Sequence, residues 1–371
     1  MKTFVTINAL KRQVNYYKSL WSSDRPLFFI NILSLLVILV SLSIVVLLYA
    51  TNRSLWADES TLAYSVTTRD LTNLTASVLK NRQSSPVLYL YIVKIITLIF
   101  ENTPFFLRIY SFLAYVGTLI LTYHLLKNMA KVKFPLVGSA FTASMMIMLY
   151  FANEFKQYMS DAFTVLLIIY LFHLYEQRKI DLLKLFFAYV VLTWLAFSAI
   201  FMIGGIALTL FIRQLLAKDW KNLVRTSVGS AAVLMSFAAE YFLWLRLSSD
   251  NPKTLEHWVP FKFPIIPTRL DDVIRGARLI YGVALSLNQY PNVQNTIQIF
   301  PVLIVLLMLV GLFSGWKEKD KLVITISSGM LVLMLASYIG KYPFFPRLIL
   351  FVYPLLAILA VIAIDFLYRQ T

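Results

Sequence analysis

The chain has 371 residues, 59% of them hydrophobic and only 14% charged, with a mean hydropathy of +0.74. A soluble domain carries roughly a quarter charged residues, so this composition excludes an ordinary soluble fold and indicates a polytopic membrane protein. The net charge of +16 is scattered as Lys and Arg in short loops between apolar runs, which excludes a nucleic-acid-binding stripe and fits basic loops held on the cytoplasmic side.

Residues 1–26 hold Lys2, Lys11, Arg12, Lys18 and Arg25, a basic amphipathic lead expected to stay cytoplasmic. The run LFFINILSLLVILVSLSIVVLLYA (27–50) is too long for a signal peptide, and no small-residue cleavage site follows it. It reads as the first span and delivers Asp58 and Glu59 to the outer face. Residues 51–104 then form the first outer loop, which contains SPVLYLYIVKIITLIF (85–100), a short segment with Pro86 near its start and Lys94 within. Parity decides its placement. If it lies along the surface, spans near 105–126, 134–152, 157–175, 183–197, 199–216, 227–247, 296–314, 322–339 and 347–368 follow. The basic loops KNMAKVK, EQRKIDLLK, KDWKNLVR and GWKEKDK then share one side. Counting it as a span inverts all that comes after. The expected fold is an all-α, multi-pass transmembrane bundle of about ten spans, read as one integral domain. It has interfacial helices in the first outer loop, a large outer loop over 248–295 and both termini in the cytoplasm.

On this topology Asp58, Glu59, Asp70, Glu101, Glu154, Asp161, Asp250, Glu256, Asp271 and Asp272 face outward, and Glu240 alone lies in an apolar run. Two acidic groups stand at the mouths of spans. One is Asp58–Glu59, preceded by Trp56. The other is NEFKQYMSDAF, where helical spacing sets Glu154, Tyr158 and Asp161 on one face, at i, i+4 and i+7. Each acid alone reads equally well as a helix cap, but ionisable groups at membrane depth are functional candidates. The same side carries Lys156, the segment GKYPFFPRLIL with Lys341, Tyr342 and Arg347, and the segment EHWVPFKFP with His257, Trp258 and Lys262. Arg and Lys there suit a phosphate. The competing roles are snorkelling for the cations and an interfacial belt for the aromatics.

Nucleotide-binding loops, HExxH and G-x-S-x-G are absent from the sequence. Without cysteine, and with only His124, His173 and His257, a thiolate or multi-histidine metal site is ruled out or disfavoured. If a divalent metal binds, carboxylates such as Glu59 and Glu154 supply the ligands, which favours Mg²⁺ or Mn²⁺ over Zn²⁺.

The order of an apolar span, then WADE, then SPVLYLYIVKIITLIFENTPFFLRIYSFLAYVGTLILTYHLL, then NEFKQYMSDAFTVLLIIYLF resembles the GT-C class of polytopic glycosyltransferases. That class includes protein O-mannosyltransferases and aminoarabinose transferases, and the resemblance covers roughly residues 27–215. The segment GKYPFFPRLILFVYPLLAILAVIAIDF is similar to uncharacterised bacterial members. The resemblance implies a sugar carried on a polyprenyl phosphate and transferred outside the cytoplasm to a glycan, lipid or protein acceptor. It implies an essential acid in the first outer loop, a position held here by Asp58 or Glu59. A second acid in the next outer loop matches Glu154, with Asp161 a weaker correspondence. Asp58 is the expected general base of an inverting transfer, with Glu59 and Glu154 orienting it, holding the acceptor or binding a metal. Lys341, Arg347 and Lys156 are expected to neutralise the lipid phosphate, and Tyr158, Asp161, His257, Trp258 and Tyr342 to line the substrate site. The alternative is a transporter or lipid-linked glycan flippase, which calls for broken or charged segments near the midplane and an internal repeat that is not evident. A glycan polymerase and a non-enzymatic scaffold are further rivals.

Overall fold

In the computed structural model, residues 21–22, 24–249, 256–287 and 299–371 are described. Most of the basic lead over 1–26 and parts of the 248–295 loop, Asp250 among them, lie outside these residues. The described chain is helical, and its helix starts are written in the sequence. Helix α1 (Arg25–Ala50) opens with Asp24 accepting the Leu27 N–H at 3.1 Å and with Pro26 in its first turn. Helices α2 (Ala57–Thr68) and α3 (Val87–Ile99) follow. Helix α4 (Pro104–Leu125) is capped by Thr103 and runs on through a π turn to Ala130.

Next come α5 (Pro135–Ser144), α6 (Met146–Phe151), α7 (Tyr158–Glu176) and α8 (Leu182–Thr193), the last capped by Asp181. Helix α9 (Ala199–Leu216) precedes α10 (Trp220–Glu240), which is capped by Asp219 and continues through a π turn to Leu245. The short α11 (Arg246–Ser249), α12 (Leu270–Leu285), α13 (Ile299–Lys317), α14 (Lys321–Tyr338) and α15 (Val352–Tyr368) complete the order.

Among the described residues, six helical segments are long and apolar enough to cross a membrane: Arg25–Ala50, Pro104–Ala130, Tyr158–Glu176, Ala199–Leu216, Trp220–Leu245 and Lys321–Tyr338. The expected spans near 183–197, 296–314 and 347–368 contain the shorter apolar helices α8, α13 and α15. The expected span over 134–152 is broken at Met145, whose ψ of 122° leaves the helical region. There the Met146 N–H bonds to the carbonyl of Leu287 at 2.9 Å instead of to its own helix.

Helices α7 and α15 are buried along most of their length, while α1 and α10 expose long apolar faces. Helix pairs close through glycine. A Cβ on Gly205 of α9 would overlap the backbone of Gly329 in α14, and one on Gly311 of α13 would overlap the carbonyl of Leu359 in α15. Small residues at such crossings let backbones touch, which replaces the hydrophobic driving force that lipid removes.

The bundle has two chemically different ends. At one, Lys133 pairs with Asp24 at 2.8 Å and its N–H bonds Asp365, Glu176 joins Arg213 and Lys321, and Arg369 joins Glu318. Lys133, Glu176 and the pair Glu318 and Lys321 belong to three of the four basic loops that parity set on one side. The opposite end gathers residues 49–59, 80–89, 103–108, 153–161, 256–263 and 340–351. Helix α3 starts and finishes at this second end: Trp244 donates to the Ser85 carbonyl before it, and Phe100 after it stacks on Phe106 in the first turn of α4.

Candidate functional site

The second end is built around Glu59, which the first turn of α2 carries inward. Its side chain has no solvent exposure. Arg108, one turn into α4, binds it bidentately, Nε to Oε1 at 2.8 Å and Nη2 to Oε2 at 2.7 Å. Arg53 reaches Oε2 at 3.0 Å, while the N–H groups of Phe155 and Trp56 donate at 2.7 and 3.3 Å. Burial pushes the Glu59 carboxyl up, but the bonds from Arg108 and Phe155 and the Arg53 charge outweigh it and hold the group below its ordinary value. Both oxygens are occupied. Glu59 thereby ties the 53–56 turn, α4 and the 153–157 segment together. Arg53 and Arg108 were not among the residues singled out from sequence, although an arginine inside the apolar run 105–126 was itself a signal.

Asp58, its neighbour, turns the other way. Its side chain is 40% exposed and lies 3.6 Å from Nη1 of Arg347, itself 33% exposed. Only the Asp58 carbonyl is engaged, by the side chains of Gln83 and Thr61. The Arg347 guanidinium makes no hydrogen bond among the described residues, its Nε is buried without a partner, and it sits 5.7 Å above the Phe345 ring.

Glu154 and Lys156 complete the centre. The expected helical face over 154, 158 and 161 is cut, because α7 begins only at Tyr158 and Glu154 lies in an irregular turn before it. The cause is Glu59, which takes the Phe155 N–H that a helix would have sent back along its own axis. Glu154 is buried; Trp56 Nε1 donates to its Oε1 at 3.2 Å, and the Tyr150 hydroxyl also bonds its carboxyl. Burial, reinforced by the Glu59 charge, raises its carboxyl to about 7. Lys156 is buried and donates to Gln83 Oε1 at 2.8 Å, and burial lowers its ammonium to about 8.

Other expected residues divide. Tyr158 and Asp161 are buried in the first turns of α7, Asp161 bonded by Ser198. Tyr342 is committed to structure, its hydroxyl on the Leu348 carbonyl at 2.7 Å and its ring against Phe201. Trp258 packs with Phe261 and Phe345, which connects the 256–263 segment to the Arg347 loop. His257 is exposed beside Trp258, and Lys341 is exposed at the end of α14, with no ion pair joining either to Asp58.

The donor set does not fit a divalent cation at Glu59. Its oxygens are filled, two guanidinium groups flank it, and no group of three His, Asp or Glu side chains gathers among the described residues.

No protein-family model matches the chain, and neither a characterised protein nor a solved structure matches it significantly.

Proposed function

We propose that the chain is a membrane glycosyltransferase of GT-C type. It moves a sugar from a polyprenyl-phosphate donor to an acceptor hydroxyl at the Asp58 end, on the extracytoplasmic face. The ten-span arrangement, with the 85–100 segment lying along that face, belongs to the same proposal. The observation that carries it is the Asp58–Arg347 pair, a half-open carboxylate beside a guanidinium whose donors are free. A base and an unengaged phosphate-binding fork at one mouth are what such a transfer requires.

The acceptor oxygen attacks C1 of the sugar as its proton passes to the Asp58 carboxylate. The C1–O bond to phosphate breaks, and polyprenyl phosphate leaves with the electron pair. Arg347 and Lys156 offset the charge that grows on that phosphate. A phosphate is already a good leaving group, so one base suffices, and a single displacement inverts C1. Glu59 holds the frame and takes no part in proton transfer. No metal step is included.

Two buried acids in long apolar helices, Asp161 and Glu240, favour a transporter or flippase as the second reading. The two diverge in an assay of the protein in nanodiscs with a polyprenyl-phosphate sugar. Asp58→Asn is expected to lose kcat with donor still bound, and Arg347→Ala to raise the donor KM. Wild-type transfer in both variants removes the proposal.

A further inference from the structure

Beyond Glu154, a seam of buried polar groups continues inward along the first turns of α7. Gln157 gives its Nε2 to the Ser84 carbonyl at 3.2 Å, which leaves Oε1 without a partner. Glu240 accepts the Val87 N–H on Oε1 at 3.2 Å, and its Oε2 is unpaired. The Leu88 N–H bonds to Trp194 at 2.8 Å, and Ser160 bonds to Leu195 at 3.3 Å, so the start of α3, the 194–198 turn and α7 meet here. Asp161 is hydrogen-bonded by the hydroxyl and the backbone N–H of Ser198. The Ser85 hydroxyl is likewise unpaired. Asp161 is 3% exposed and Glu240, Ser198 and Ser85 are fully enclosed.

An unpaired buried polar atom is destabilising, because it has lost water without gaining a partner. Packing alone does not explain such a concentration in one seam, whereas a missing partner does. The unpaired oxygens of Gln157 and Glu240 accept hydrogen bonds, and a carboxyl that keeps its proton also donates, so the partner offers groups that do both. No ion pair among the described residues reaches Asp161 or Glu240, and a ligand with its own carboxylate would meet uncompensated acids there. A point cation is also a poor match, because no three acidic or histidine ligands converge. The partner is therefore extended, rich in hydroxyl groups and not anionic, and the Ser85 hydroxyl is free to donate to its oxygens.

We infer that this seam is a polyol recognition site that receives the glycosyl group of the substrate, with Gln157, Asp161 and Glu240 as its specificity-determining residues, and that it discriminates against acidic sugars. The inference rests on the glycosyltransferase reading for the source of the polyol. Entry of a ligand separates the start of α3 from α7, since the groups are enclosed in this state.

The absence of cysteine makes the test direct. Ser198→Cys, in the full chain in nanodiscs, is treated with a small hydrophilic thiol reagent alone and with a panel of neutral pentoses and hexoses, glucuronate or sodium chloride. Ser85→Cys is the second probe should the first variant fail to fold. The expected result is labelling that at least one neutral sugar slows, roughly tenfold when about nine sites in ten are filled. Glucuronate and salt leave the rate unchanged. An unreactive cysteine, protection by no neutral sugar, or equal protection by glucuronate or sodium chloride overturns the inference. Loss of transfer in Asp58→Asn without sugar protection refutes the seam and leaves the catalytic reading standing. Protection with transfer retained in Asp58→Asn does the reverse.

Discussion

Glu59 accepts from two arginines and two backbone N–H groups with no solvent contact, while Asp58, one residue earlier, is 40% exposed and its carboxylate meets only Arg347, at 3.6 Å. The pair was visible in the sequence as WADE, but its division of labour was not. The deciding partners, Arg108 and Phe155, lie 49 and 96 residues away. Removing one member of a buried pair strands the other charge, so Glu59→Gln is expected to lower stability by about 3–5 kcal/mol. Denaturation of the purified protein measures this, and an unchanged midpoint contradicts it. Glu154 gives a second expectation, in pH. Its folded carboxyl sits near 7 against an ordinary 4.5, so between those values the folded protein keeps a proton that the unfolded chain has lost. Its contribution is complete below 4.5 and is lost as pH rises through 7. Thermal unfolding should therefore show a Tm falling across that window in the wild type and flattened in Glu154→Gln; equal slopes in both argue against the assignment.

The starts of α1, α4, α8 and α14 lie close to those expected because Asp24, Thr103, Asp181 and Asp320 stand where caps are needed. Helix α10, capped by Asp219, instead begins at Trp220, inside the segment KDWKNLVR expected as a loop. The break at Met145 was not legible. No proline or glycine marks it, and its cause is a tertiary bond from Met146 to Leu287. Close crossings were equally hidden, since a lone glycine in an apolar run does not say which backbone it meets. Gly205→Val inserts side-chain atoms into the Gly329 backbone and should force α9 from α14, at a cost of about 1–3 kcal/mol or more. Gly282→Val, at a position with no atom within 4 Å of the added Cβ, serves as the control. A Tm in Gly205→Val no lower than in the control would show that the crossing tolerates separation.

At the scale of the whole molecule, ion pairs divide the charged segments between two ends. The ion pairs Asp24–Lys133, Glu176–Arg213, Glu176–Lys321 and Glu318–Arg369 collect the basic loops at one end, and Asp58, Glu59, Glu154 and Arg347 meet at the other. Span lengths were less legible, because α8 is only 12 residues long and crosses less distance than its apolar run suggests. The proposed orientation places the basic end in the cytoplasm. In intact cells an impermeant thiol reagent should label Lys262→Cys and spare Lys319→Cys, and the opposite pattern would invert the topology.

We assign the chemistry to Asp58 and the architecture to Glu59. Side-by-side transfer and unfolding measurements on Asp58→Asn and Glu59→Gln, with a polyprenyl-phosphate sugar in nanodiscs, test this assignment most directly. Asp58→Asn should unfold like the wild type yet lose about 10²–10⁴ in rate, the usual contribution of a general base. A folded Asp58→Asn protein that transfers sugar at the wild-type rate would contradict the account.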